Sequence, residues 1–140
     1  MKAEYAFLFI NELNIEMIKK EVSNMTRIPV DVMDSKTRKR EIVTARQLSM
    51  KFAKIYTKAS LATIGAIIGG KDHATVLHAC TTIDNLLDTK DPQLVSVYYP
   101  LDRKFKDIQH TIERYKLNNL QLFMVVNEGL VDINNLLNDN

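Results

Sequence analysis

Two stretches concentrate the side chains able to hold an anion, move a proton or bind a metal: Lys36 to Lys58, and Gly69-Gly-Lys-Asp-His-Ala-Thr-Val-Leu-His-Ala-Cys80. The first has eight basic residues against Glu41 alone. Each Lys or Arg near a phosphate releases condensed counterions, so this clustering suits a polyanion, with a solvated helix face as the plain alternative. The second offers His73, His78 and Cys80, which invites a metal site or a Cys-His nucleophile. Helical geometry excludes both. At about 100° per residue His78 lies about 140° from His73 and about 160° from Cys80, so the three cannot converge from one helix. Cys80 reads as a core residue, and as the single cysteine it excludes an internal disulfide. Gly69-Gly-Lys is not the Gly-x4-Gly-Lys-Ser/Thr of a phosphate-cradling loop. No catalytic residue, cofactor or metal is expected, and the chain is not read as an enzyme.

The whole chain sets the frame for these two stretches. It has 140 residues, 46% hydrophobic and 26% charged, the ordinary balance of a soluble single domain. Its net charge of +2 conceals a division: residues 1–35 carry −2, residues 36–90 carry +6 and residues 91–140 carry −2. A basic island thus sits between acidic flanks. No run of eighteen apolar residues is present, so no membrane span is expected. Met1 to Ile10 contains Glu4 and no small-residue cleavage site, so it does not read as a signal peptide, and the expected location is the cytoplasm.

The elements that must position the two stretches read as helices. Asn14 caps a first one through Ile15, Ile18, Val22 and Met25, which Pro29 ends; Ile28, Val30, Val32 and Met33 form a hydrophobic connection. Ser35 to Arg40 lacks periodicity and reads as a loop. From Glu41 to about Thr57, Ala45, Leu48, Phe52 and Ile55 mark a buried stripe, with Arg46, Gln47, Lys51, Lys54 and Lys58 outside it. Ser60 caps a short helix that stops at Gly69-Gly70, and Asp72 caps the next, whose buried line is Val76, Cys80, Ile83 and Leu87. Helix, glycine turn, helix is helix-turn-helix grammar. Ala74, His78, Thr81 and Asn85 project outward from it. Tyr98-Tyr99-Pro100 predicts a break, followed by a helix through Leu101, Phe105, Ile108, Ile112 and Tyr115. The apolar runs Tyr5–Ile10 and Leu120–Leu137 fit helix or strand equally.

The motif from Gly69 to Cys80 resembles the signature of the C-terminal DNA-binding domain (domain IV) of the bacterial replication initiator DnaA, usually Gly-Gly-Arg-Asp-His-Ser/Thr-Thr-Val-Leu/Ile-His-Ala. Arg40 to Lys54 is similar to that family's helix after its basic loop, and Ser60-Leu-Ala-Thr-Ile-Gly65 to its scaffold helix. The similarity spans Asn14 to Leu87, with a looser match over Leu101–Lys116. The fold expected is therefore all-α: a helical bundle with a helix-turn-helix of the Trp-repressor type over residues 14–117, plus extensions at 1–13 and 118–140.

The resemblance implies roles. Arg38 enters the minor groove, where narrow A+T-rich DNA has enhanced negative potential. Asp72, His73 and Ala74 read base edges in the major groove. Lys36, Lys39, Arg40, Arg46, Gln47, Lys54, Lys71, Thr75 and His78 touch phosphates and fix register. Two positions depart from the family: Ala74 lacks the usual hydroxyl, and Lys71 replaces an arginine, keeping charge without the fork. Full initiators carry an AAA+ ATPase ahead of this domain, and thirteen residues before Asn14 leave no room for one. The expected function is sequence-specific binding of double-stranded DNA at A+T-rich, DnaA-box-like sites, in replication initiation or its regulation, without the motor. The alternatives are a helical protein-interaction module and a transcriptional or mobile-element regulator retaining the fold. The apolar termini are candidates for a homo-oligomer or protein contact.

Overall fold

The structure, a computed structural model, describes residues 12–127, and among these there is no strand. Asn14 Oδ1 accepts from the Met17 amide at 2.9 Å and opens α1, Ile15–Thr26. Arg27 ends it in the left-handed region at φ 61. Pro29, with φ −57, starts the single helical turn α2, Val30–Met33, where the sequence suggested a bare connection. The basic loop follows and ends at Lys39, which precedes α3, Arg40–Tyr56. Ser60 Oγ accepts from the Thr63 amide at 3.1 Å and caps α4, Leu61–Ile67. Asp72 caps α5, His73–Asp88.

Residues Leu13–Asp107 form one compact unit, and the described residues beyond it, 108–127, are helical. At its centre lies α3, packed against α1, α2, α4 and α5. Its residues Ala45, Leu48, Phe52 and Ala53 are fully buried, together with Ile18, Val22, Ile64, Val76 and Ile83 from its neighbours. The one-sided stripe read from the sequence is corrected here. Ile55 is 45% exposed, while Tyr56 closes the buried line and donates its hydroxyl to Asp102. Burial of that hydroxyl and the neighbouring carboxylate push its pKa well above the usual tyrosine value.

The break expected at Tyr98-Tyr99-Pro100 is absent, and α6 runs continuously over Pro92–Asn127. Asp91 Oδ2 accepts from the Leu94 amide at 3.0 Å, and Pro92 occupies the first turn, where its missing N–H costs nothing. Pro100 removes one helical hydrogen bond, a defect of about 3 kcal/mol in isolation. Burial on both sides of it outweighs that cost: Leu94, Tyr98, Leu101 and Phe105 form one covered line across the proline. Phe52 meets Tyr98 and Phe105 with ring centroids 4.8 and 4.9 Å apart, so aromatic packing joins α6 to α3. Of the extensions expected at 1–13 and 118–140, residues 1–11, with the Tyr5–Ile10 run, and residues 128–140 lie outside the described residues. Of the Leu120–Leu137 run, residues through Asn127 are helical. No described helix is long and apolar enough to cross a membrane.

Gly65 sets the helix-turn-helix crossing. Its carbonyl accepts from the Lys71 amide at 2.7 Å, and a Cβ there would lie 2.3 Å from the Lys71 carbonyl oxygen and 3.0 Å from that of Asp72. Both obstacles are backbone, so neither can swing aside. Gly65→Ala should therefore destabilise the fold by about 2–3 kcal/mol despite its better helix propensity, lowering the midpoint of thermal unfolding by about 10 °C or more. Gly70→Ala, where no atom lies within 4 Å of the added Cβ, should cost only the strain of its positive φ, about 1 kcal/mol. Equal midpoints for the two variants would show that the crossing is not set by Gly65.

Candidate nucleic-acid interface

The basic loop is short, polar and built around one buried guanidinium. Arg46 Nε donates to the Met33 carbonyl at 2.8 Å, and Nη2 donates to the carbonyls of Ser35 at 2.6 Å and Thr37 at 3.4 Å. Ser35 Oγ donates back to Val32 O at 2.6 Å, tightening the loop's first turn. With its carbonyls turned inward, the loop leaves Lys36, Arg38, Lys39 and Arg40 exposed.

Arg46 departs from the role expected of it. It is 7% exposed, with Nε and Nη2 bonded to the protein's own backbone, so it is not on the open surface beside Lys39 and Arg40 where the sequence stripe placed it. A helix surrounded by four others has no single wet face, and Ser49, Met50 and Ala53 are covered for the same reason.

A second buried cation, Lys19, carried no functional expectation. It is 3% exposed, and its Nζ donates to Asp34 Oδ2 at 2.6 Å and to the carbonyl of Ile67, the last residue of α4, at 2.9 Å. Its spacing was a signal: one helical turn beyond Ile15 and next to Ile18, it falls on the apolar side of α1. Arg46 and Lys19 therefore work along the same seam. Lys19 joins residue 34 to residue 67, and Arg46 joins residues 33, 35 and 37 to Gly69, where a Cβ would lie 3.2 Å from Arg46 Cδ. Gly69, at φ 79, supplies the turn and leaves room for that side chain.

On the far side of the seam α5 opens. Asp72 Oδ1 accepts from both the amide and the hydroxyl of Thr75, each at 2.8 Å. These two bonds, the amide's first, hold the Asp72 carboxyl below the usual carboxylate range. Thr75 thus aims both its donors at Asp72 in this arrangement, on an exposed stretch of α5. His73, Ala74, His78, Thr81 and Asn85 are exposed, while Val76, Cys80 and Ile83 are buried beneath them. Burial raises the Cys80 thiol, partly offset by Lys54 and Lys51, so these two α3 lysines lie alongside α5. Lys54 is exposed; Lys51 pairs with Asp84 at 2.7 Å. Lys71 and Gln47 are half-buried. Leu77, half exposed between His73 and Thr81 on the outer face, was not singled out from the sequence, although its offset of about 100° from Val76 removes it from the buried line.

Residues 15–83, which contain both cation ties, the loop and the α5 cap, match the family model described as bacterial dnaA protein helix-turn-helix. Over that stretch the chain is similar to the DnaA helix-turn-helix domain. It is 60% identical over 78 residues to the chromosomal replication initiator protein DnaA of Flavobacterium psychrophilum, a stretch covering 56% of this chain and 16% of that protein. The DnaA of Bacteroides thetaiotaomicron is 46% identical over 76 residues, covering 54% and 16%. That of Laribacter hongkongensis is 38% identical over 96 residues, covering 69% and 20%. The chain thus spans only 16–20% of the length of these relatives.

The lowered Asp72 carboxyl gives the start of α5 a defined pH response. A depressed folded value means that the cap contributes stability above the unfolded value of about 3.9, and that this contribution is lost as pH falls through the folded value. Followed by NMR from pH 7 to pH 2, the Thr75 amide should shift with a midpoint below about 3.9. A midpoint at or above it would mean that the cap is not made in solution.

Proposed function

We propose that this domain binds double-stranded DNA sequence-specifically at A+T-rich, DnaA-box-like sites, in the initiation of replication or its regulation, and so resides on the nucleoid. The observation that supports this reading best is the seam itself: the exposed basic loop is bonded to two buried cations, one of which also holds the end of α4 while the other passes close to Gly69, in the turn that leads to the exposed opening of α5. A loop that enters one groove and a helix that enters the next need such a shared mount.

In this reading Arg38, exposed one residue beyond the anchored Thr37 carbonyl, enters the minor groove. His73 donates to a purine or thymine acceptor in the major groove, and the Ala74 methyl packs on a thymine methyl. Asp72 caps α5 through Oδ1 and accepts from cytosine N4 through its other oxygen. Lys36, Lys39, Arg40, Lys54 and Lys71 neutralise phosphates, and Gln47 and His78 donate to them. Without a hydroxyl at position 74, one base pair of the usual site is read more weakly, by about 1–3 kcal/mol where a hydrogen bond is replaced.

Selection of bound sequences from a random duplex pool should enrich an A+T-rich consensus, and affinity for it should fall with log salt at a slope of about −5. No enriched sequence, or a slope near zero, would refute the reading. Arg38→Ala and His73→Ala should each cost tenfold or more on the enriched duplex and little on a scrambled one, a loss of about 1.4 kcal/mol or more. Lys54→Ala should weaken both duplexes alike. Equal losses on both duplexes for all three variants would overturn the assignment of roles.

A further inference from the structure

We infer that Arg46 is a positioning residue for sequence discrimination: it sets the distance between the loop carrying Arg38 and the turn preceding Asp72, without touching DNA. This rests on the DNA-reading function proposed above and names the part that makes two readers act as one.

The geometry is specific. Arg38 and Asp72 are separated by thirty-three residues of chain that pass through α3 and α4, a long route for fixing a distance. Arg46 short-circuits it. Its fork takes the carbonyl of Thr37, next to Arg38, together with those of Ser35 and Met33, while its stem passes so close to Gly69, three residues before Asp72, that a Cβ there would lie 3.2 Å from Cδ. The fork's bonds are to backbone, so they fix where the loop runs rather than where a side chain points, and the stem fills the space that Gly69 leaves. The planar guanidinium is needed for this. A lysine ammonium places a charge there but cannot hold separate carbonyls at fixed angles. Lys19 makes the parallel tie one step away, from Asp34 to the Ile67 carbonyl, and it preserves the seam's gross closure when the fork is lost. The position of Arg38 is then what loosens.

The test uses the full 140-residue chain and two probes, the duplex enriched by random-pool selection and its scrambled counterpart, below the unfolding temperature of every variant. Arg46→Lys should lose tenfold or more on the enriched duplex and less than threefold on the scrambled one. In the Arg46→Lys background, adding Arg38→Ala should cost less than threefold on the enriched duplex, against tenfold or more in the native background. A merely structural role lowers the folded fraction and so reduces both affinities by one factor; a direct phosphate contact also weakens both duplexes together. Either of those patterns, or an Arg38→Ala effect that is the same in both backgrounds, overturns the inference while leaving the DNA-reading function standing. Should Arg46→Lys not fold, Arg46→Gln, which keeps a donor in the seam without the fork, provides the same measurement, with the same loss of discrimination expected and undiminished discrimination counting against the inference. A native chain that enriches no sequence refutes the function itself, and the inference with it.

Discussion

Two buried cations crossing one seam are the interaction on which the rest of this structure depends. The carbonyls of Met33, Ser35 and Thr37 leave regular structure within a few residues of one another, and that of Ile67 ends a helix of seven residues. Carbonyls at such places must find donors or face water. Arg46 and Lys19 supply the donors from the interior, so the loop closes over the core instead of extending into solvent. Burying a charge is unfavourable unless it is well bonded, and these two reach carbonyls and, for Lys19, the Asp34 carboxylate. The pairs add little net stability compared with apolar packing, but they make one arrangement of loop and turn far better than its neighbours.

The glycines complete that arrangement from the other side. Gly65 lets α4 approach the backbone that leads into α5, closer than any side chain permits. Gly69 turns the chain and admits the Arg46 stem. Stability itself comes from elsewhere: from the fully buried Ile18, Leu48, Phe52, Ile64, Ile83 and Phe105, and from the rings that bring α6 onto α3. Core and seam therefore divide the work, one holding the helices together and the other fixing how two exposed pieces face outward.

The sequence showed the local part of this plainly. Asn14, Ser60 and Asp72 were read as caps and are caps, because capping is decided within three residues. The buried line through Val76, Cys80 and Ile83 followed from period alone, with Leu87 at its end only half-buried, as did the exposure of Ala74, His78, Thr81 and Asn85. What periodicity could not show was tertiary. Arg46 reads as a surface arginine until four helices are placed around α3. Pro100 reads as a breaker until Tyr98 and Phe105 are seen to bury on either side of it. In both cases the residue type was read correctly, and partners distant in sequence decided where the side chain lies.

The division between exposed and buried cations has a physical logic. An exposed lysine attracts phosphate over roughly the Debye length, about 8 Å at physiological salt, so its attraction survives displacements of an ångström. Hydrogen bonds to base edges do not, because they fade within a few tenths of an ångström and tens of degrees. Affinity therefore tolerates mobile side chains, and Lys36, Lys39, Arg40 and Lys54 are left exposed on the surface. Discrimination does not tolerate them. It requires that the backbone carrying each reader be placed to within the tolerance of a hydrogen bond, which a solvated side chain cannot do. The forked, buried Arg46 can, since its geometry is fixed by bonds to main-chain carbonyls in a site that water barely reaches. On the proposed DNA-reading function, the same amino-acid chemistry serves attraction outside the fold and alignment inside it, and burial alone separates the two.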